Sequence, residues 1–324
     1  MFDQRIHNAF TPEDYGIVGS IMAFGGTVGV FINVFVIYHL CKRTIFQCAF
    51  GRILMSHSLA ALGNCATYAF YAAPITLINA ELHSNFWGKR SGYLIIVFWN
   101  AGILSHLLMA INRFVAMYFP FKYMRIFSEH FTTEVVFGIW IVSIIVPLAQ
   151  FFPGCECMIT IDNFNYEFLP TTCGYVFGLY ADFIFTLVSI NLVACLDLIT
   201  YLKVRKHWNK RRVATVGSAA NIAASNNVRF FFQSAVQGFA ALFEIVSYFY
   251  ISPLMGNKWT RFAMSACLFF GINTVDGIIV IMFNREIREA FKKNRESTYQ
   301  IEMRVTPAPT TVDSGGQVSS TEIE

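Results

Sequence analysis

The sequence predicts an all-α membrane protein, a bundle of seven transmembrane helices. Three observations lead there. Of 324 residues, 55% are hydrophobic and 14% charged, where an ordinary soluble domain carries about 25% charge. Seven apolar runs are each long enough, at about 18 residues or more, to cross a hydrocarbon core of about 30 Å as a helix. Lysine and arginine then gather on alternate loops. Only helices and closed barrels satisfy every backbone group in lipid, and runs of this length are helices.

The runs lie at Tyr15–Leu40, Ile53–Ile78, Ser91–Arg113, Val135–Phe152, Gly174–Leu202, Phe230–Leu254 and Thr260–Phe283. The first is too long, and begins too far from Met1, for a cleaved signal peptide, so it is expected to remain as a span. Basic residues crowd the connections after spans one, three and five and the segment after span seven. The densest group is Lys203, Arg205, Lys206, Lys210, Arg211, Arg212 and Arg229, whereas the opposite side carries only Arg5, Lys89, Arg90, Lys258 and Arg261. This bias puts the N-terminus outside and the C-terminus in the cytoplasm. A net charge of +4 implies no nucleic-acid patch.

The expected organisation is an extracellular N-terminus over 1–14, the bundle over 15–283, an amphipathic cytoplasmic helix over 284–295 and a disordered tail over 296–324. The short helix follows from Ile287, Ala290 and Phe291 set among charges, a pattern suited to the inner membrane surface. The tail is rich in Thr, Ser, Pro and Gly and cannot build a core.

Five of the eight cysteines fall in the membrane or the cytoplasm by this topology and are expected as free thiols. Cys155, Cys157 and Cys173 lie between spans four and five, on the oxidising side. One disulfide joining Cys173 to Cys155 or to Cys157 is expected, with one thiol left over. Cys155-Glu156-Cys157 matches no structural zinc spacing, and no metal or cofactor is called for.

Ionisable groups inside a bilayer usually face the bundle interior and are candidates for function. In span six, Gln233, Gln237, Glu244 and Tyr248 fall on one face at 100° per residue. Span five offers Asp182, Thr186 and Ser189 in a line from its outer end and Asp197 near its inner end. Span three carries Trp99, His106 and Arg113 at intervals of seven, span two His57 and Asn64, and span seven Asn273 and Asp276. Bundles also use such groups for interhelical hydrogen bonds. For Asp182 and Glu244 a ligand or ion contact weighs as heavily; Asp276 reads as a stabilising or switching group. His-Glu-x-x-His, Gly-x-Ser-x-Gly and phosphate-loop motifs are absent, and span seven has no interior lysine, so the chain does not read as an enzyme or a Schiff-base light receptor.

Seven spans, short loops, an arginine ending span three and a helix after span seven together resemble a G-protein-coupled receptor of rhodopsin-like architecture. Finer detail lies in Phe50-Gly51-Arg52 leading into Ser56-His57-Ser58 and Pro74, and in the run from Ile111-Asn112-Arg113-Phe114 to Tyr123. It continues in Asp197-Leu198-Ile199-Thr200, Phe231-Phe232-Gln233-Ser234 with Gln237, and Asp276-Gly277 followed by Phe283-Asn284-Arg285-Glu286-Ile287-Arg288. In order and spacing these resemble the nematode serpentine chemoreceptors of class x, over about residues 25 to 292.

The resemblance implies a receptor for an environmental or pheromonal small molecule, bound in the outer half of the bundle, that activates a heterotrimeric G protein. It implies a multi-pass protein of the plasma membrane, with the sensory cilium a candidate location, and partners that include membrane lipid. Trp99, His106, Asp182, Glu244 and Tyr248 are the expected ligand contacts. Asn112, Arg113 and Phe114 match the rhodopsin-like Asp-Arg-Tyr motif, but the acid that holds the arginine at rest is Asn112 here; Asp197 is the expected substitute. Asn-Pro-x-x-Tyr is missing from span seven, where Asn273 and Asp276 would serve as the polar switch beside Asp197. The outer end of span three reads Trp87-Gly88-Lys89, without the cysteine that rhodopsin-like receptors use for their loop disulfide. The competing reading is a small-molecule or ion transporter using mid-membrane carboxylates, which predicts internal repeats that the sequence does not display.

Overall fold

The computed structural model describes residues 10–42, 48–211, 232–233, 235–284 and 287–288. Within them the chain forms the expected helical bundle. Span one is Pro12–Lys42, span two Ala49–Thr67 continued through Tyr68–Ala72 and Ala73–Asn79, and span three Phe86–Tyr118. Span four is Glu129–Phe151, span five Thr172–Lys206, span six Ala235–Leu254 and span seven Lys258–Phe283. Helices outrun the apolar segments where local groups cap them: the Ser128 hydroxyl accepts from the Phe131 N–H at the start of span four, and the Thr171 hydroxyl from the Gly174 N–H at the start of span five.

Six of these helices are long and apolar enough to cross a membrane, and span two is not among them. Its neighbours explain this. It packs against spans one, three, four and seven and buries Ser56, His57, Ser58, Asn64 and Thr67. Over Ala49–Thr67 Leu59 alone is exposed, so this stretch presents little surface to lipid. Spans one and four, by contrast, leave Phe24, Phe31, Phe137 and Ile145 exposed on the outside of the bundle.

Lipid tails are as apolar as leucine, so helices in a membrane hold together through close packing and hydrogen bonds rather than through hydrophobic burial. Both devices are present. A Cβ at Gly26 would come within 2.9 Å of the Cys65 carbonyl oxygen and 2.8 Å of the Ala69 nitrogen, so spans one and two meet backbone to backbone. Asn33 Nδ2 donates to the Asn273 carbonyl at 3.1 Å, and Asn64 Nδ2 donates to Asn273 Oδ1 at 3.0 Å, tying spans one and two to span seven. The Trp140 indole donates to Ser56 Oγ at 3.0 Å, and Ser56 meets Ser105 Oγ at 2.8 Å, linking spans four, two and three.

One end of the bundle is roofed by an antiparallel hairpin between spans four and five. Strand β1, Cys157–Thr160, pairs with β2, Asn165–Phe168, with Cys157 opposite Phe168 and Ile159 opposite Tyr166. Phe164, at the end of the turn, has φ +49° and is fully buried; Phe10 and Tyr15 pack edge-on against its ring at 5.4 and 5.3 Å. Cys155 is bonded to Cys173, pinning the hairpin to the start of span five, and Cys157 is a free thiol. Gln150 Oε1 accepts from the Cys157 N–H at 3.3 Å. Beside the hairpin, span three carries Gly92, where a Cβ would sit 1.9 Å from the Cys157 carbonyl oxygen. Only glycine admits the strand so close.

His83, in the turn Ala80–Ser84 joining spans two and three, is also fully buried at this end. The Thr76 hydroxyl donates to the Ala72 carbonyl and accepts from His83 Nε2 at 2.9 Å, while His83 Nδ1 has no partner among the described residues. Burial holds the imidazole down at about 4, so it is neutral near pH 7. Glu156, which leads into β1, is pushed up by burial but brought below the ordinary carboxylate value by its own N–H, by the Gly154 N–H at 2.6 Å and by Lys89 at 3.4 Å.

Residues 1–283 make one compact unit and residues 284–324 another. In the second, Arg288 N–H donates to the Asn284 carbonyl at 3.2 Å. The rest of the expected amphipathic helix and tail lies outside the described residues, as does the basic group Arg212 and Arg229 between spans five and six.

Candidate functional site

Under the hairpin, spans two, three, five, six and seven enclose a cavity. Four of the predicted residues line it: Trp99, Asp182, Glu244 and Tyr248. The free volume is about 50 Å³, room for a few waters. For two of them, Asp182 and Tyr248, local backbone contributes to the inward heading. Four spans contain a π turn at the hairpin end, at Tyr68–Ala72, Gly178–Ile184, Ser247–Ile251 and Ala263–Cys267. Tyr68, Asp182 and Tyr248 sit on the first three. Such turns widen the helix by one residue per turn and re-aim the side chains on them. The Ser247 hydroxyl donates to the Met264 carbonyl at 2.9 Å, bonding the turn of span six to that of span seven.

The walls are aromatic. Trp99 Nε1 donates to Thr186 Oγ1 at 3.2 Å, and the indole packs on Phe269 at 5.4 Å. Tyr68 stands edge-on to Tyr166, and Tyr248 donates its hydroxyl to the Tyr166 carbonyl, so the hairpin is fastened to span six. Glu244 is buried, and its Oε2 has no hydrogen-bond partner among the described residues. Among the described residues, no lysine, arginine or histidine lines the cavity. Two carboxylates therefore share an aromatic enclosure without a basic side chain in its wall.

At the opposite end, Arg113 closes span three against span five. Its Nη2 and Nε donate to Asp197 Oδ1 at 2.9 and 3.3 Å, and both side chains are buried. Asn112 Nδ2 donates to the Tyr123 hydroxyl at 3.3 Å, and Phe114 stacks on Tyr118 at 4.6 Å. Between the two ends lies a polar layer. His57 Nε2 is 3.3 Å from Asp276 Oδ2, His57 Nδ1 is 3.3 Å from the Gly102 carbonyl, and the His106 ring stands edge-on to His57 at 5.6 Å. Asn273 bonds to Asn33 and Asn64 in the same layer.

Residues 24–284 match the family described as the serpentine type seven-transmembrane G-protein-coupled chemoreceptor Srx. The chain belongs to the Srx family. Two nematode relatives from Caenorhabditis elegans agree with this: serpentine receptor class X 45 is 25% identical, covering 95% of this chain and 90% of its own length, and serpentine receptor class X-43 is 24% identical, covering 87% and 88%. Among solved structures, the crystal structure of squid rhodopsin superposes with a TM-score of 0.75 over 94% of both chains at 13% identity, a likeness of fold. This Srx chain is thus a multi-pass membrane protein with a chemoreceptor's fold.

The structure brings Trp99, Asp182, Glu244 and Tyr248 of the Srx chain together and sets His106 one layer deeper, outside the cavity wall, against His57. Arg113 meets Asp197, and Asp276 meets His57. Tyr68, Phe269 and the hairpin residues Asn165, Tyr166 and Phe168 also line the cavity and were not among the sequence candidates. The hairpin had a signal, two short alternating stretches around Asp162-Asn163, whereas Tyr68 and Phe269 are two aromatics in a chain that is 16% aromatic. Among the described residues no three of His, Cys, Asp and Glu are grouped to hold a metal ion.

Proposed function

We propose that this Srx chain is a chemoreceptor that binds a small molecule in the cavity beneath the hairpin and activates a heterotrimeric G protein at the Arg113 end. The observation that carries the reading is the joint placement of Trp99, Asp182, Glu244 and Tyr248 in one cavity, with the Arg113–Asp197 pair at the other end of spans three and five. Family membership and the rhodopsin-like fold support it.

In this reading the hairpin end faces outward and the Arg113 end the cytoplasm, in the plasma membrane of a sensory cell. The resting bundle keeps Arg113 on Asp197. A ligand that prefers the arrangement with separated inner ends shifts the population towards it, and Arg113 then becomes available to the G protein. Asn112 and Phe114 flank it, and Asp197, Asn273 and Asp276 set the balance between the two arrangements.

The test is nucleotide exchange on a panel of G proteins by the expressed chain, challenged with a small-molecule library, beside Arg113→Ala. A ligand response lost in Arg113→Ala, with surface expression retained, supports the reading. A ligand response of equal size in Arg113→Ala refutes the proposed coupling route.

A further inference from the structure

The cavity leaves two features unused by the reading above: among the described residues no basic group lines it beside Asp182 and Glu244, and a second space lies next door. Ionisable groups in a bilayer are expensive and are usually paired. Glu244 is 4% exposed, lines the cavity and leaves Oε2 without a partner among the described residues. A ligand cation would supply the counter-charge that lets such a buried acid ionise. The Trp99, Tyr248 and Tyr68 rings around it are of the kind that attracts ammonium groups through their faces, and an anionic ligand would find no cationic side chain among the described lining residues.

Size argues for more than a bare ammonium group. The cavity under the hairpin offers about 50 Å³, whereas an adjoining groove between spans five and six offers about 410 Å³. Phe168 and Phe249 line both, so two aromatic side chains form the partition. The groove is walled by Leu169, Pro170, Tyr175, Leu179, Phe183 and Tyr250, with no charged side chain among the described residues that line it. Tyr175 and Tyr250 are exposed on the outside of the bundle, so the groove opens sideways.

We infer that the ligand is an amphiphilic amine, its ammonium group held by Glu244 and Asp182 and its apolar chain passing between Phe168 and Phe249 into the groove between spans five and six. This rests on the receptor reading for its purpose but not for its test. The full-length protein in lipid nanodiscs is titrated with n-alkylamines from butylamine to decylamine, beside the alcohols and carboxylic acids of the same chain lengths, and thermal denaturation is followed. Saturable stabilisation by the amines alone, stronger with each longer chain, is the expected result. Glu244→Gln, or Asp182→Asn if the first variant does not fold, weakens the amines at least tenfold. Leu179→Trp, which fills the groove from the side, reduces decylamine to the affinity of butylamine and leaves butylamine unchanged. Alcohols or acids that stabilise as well as amines overturn the cation. An affinity indifferent to chain length, or to Leu179→Trp, overturns the groove. G-protein activation by a ligand that is not an amine overturns this inference while leaving the receptor reading intact; amine binding with no exchange on any G protein supports the site and counts against the receptor reading.

Discussion

Arg113 directs both Nη2 and Nε at a single oxygen of Asp197, Oδ1, from one helix to another, with both side chains buried. The acid that rhodopsin-like sequences place next to the arginine is Asn112 here, and the carboxylate comes from span five instead. Removing one member of a buried pair leaves the other uncompensated, at a cost of about 3–5 kcal/mol. Asp197→Asn keeps the shape and loses the charge. It is expected to raise ligand-free nucleotide exchange several-fold and to lower the melting temperature; basal exchange equal to wild type would remove Asp197 from the resting contact.

Gly92 offers a second test, since it acts through space alone. Any side chain there runs into the Cys157 carbonyl, and β1 has to move away from span three. Gly92→Ala is therefore expected to displace the roof and weaken ligand binding at least tenfold while the bundle stays folded. Circular dichroism and surface expression near wild type, with binding lost, would be the signature.

Asn273 accepts from Asn64 through its side chain and from Asn33 through its backbone, and its own amide donates to the Phe269 carbonyl at 2.8 Å. Asn273→Leu strands the Asn64 amide in the interior and is expected to cost about 1–2 kcal/mol. Asn64→Leu in the same background should cost less than it does alone. A double-mutant cycle read by thermal denaturation checks the coupling.

His83 makes stability depend on pH. Its folded value near 4 lies below the unfolded 6.5, so the unfolded chain binds the proton more readily. Stability is intact above about pH 6.5 and falls as pH drops towards 4, by up to about 3 kcal/mol. His83→Gln should flatten that slope. Melting temperatures of the two proteins between pH 7.5 and 5 decide it.

The bundle was legible in the sequence because hydrocarbon leaves few solutions: an apolar run of sufficient length has to be a helix. Asp182, Glu244 and Tyr248 were legible for a related reason, since polar groups in such runs turn inward. His106 shares that property, and its distance from the cavity reflects depth along span three, which facing alone does not give. The hairpin contacts escaped because strand pairing over a helix bundle is decided by tertiary partners, Gln150, Gly92 and Phe10 among them. Tyr68 and Phe269 escaped because an aromatic facing lipid and one facing a cavity look alike in sequence.

The π turns have a consequence for how such a protein can change. Deleting one residue from Ser247–Ile251 would restore ordinary helical winding by removing the residue that the wide turn absorbs, so that side chains on the turn itself, Tyr248 and Tyr250 among them, take new headings while the helix beyond it shifts little. Gln233, Gln237 and Glu244, on the near side of the turn, would keep theirs. The same holds at Gly178–Ile184, where the Asp197 end of span five would stay in place. Loss or gain of a single codon at these sites can thus re-aim the side chains of the cavity while the Arg113–Asp197 end keeps its alignment.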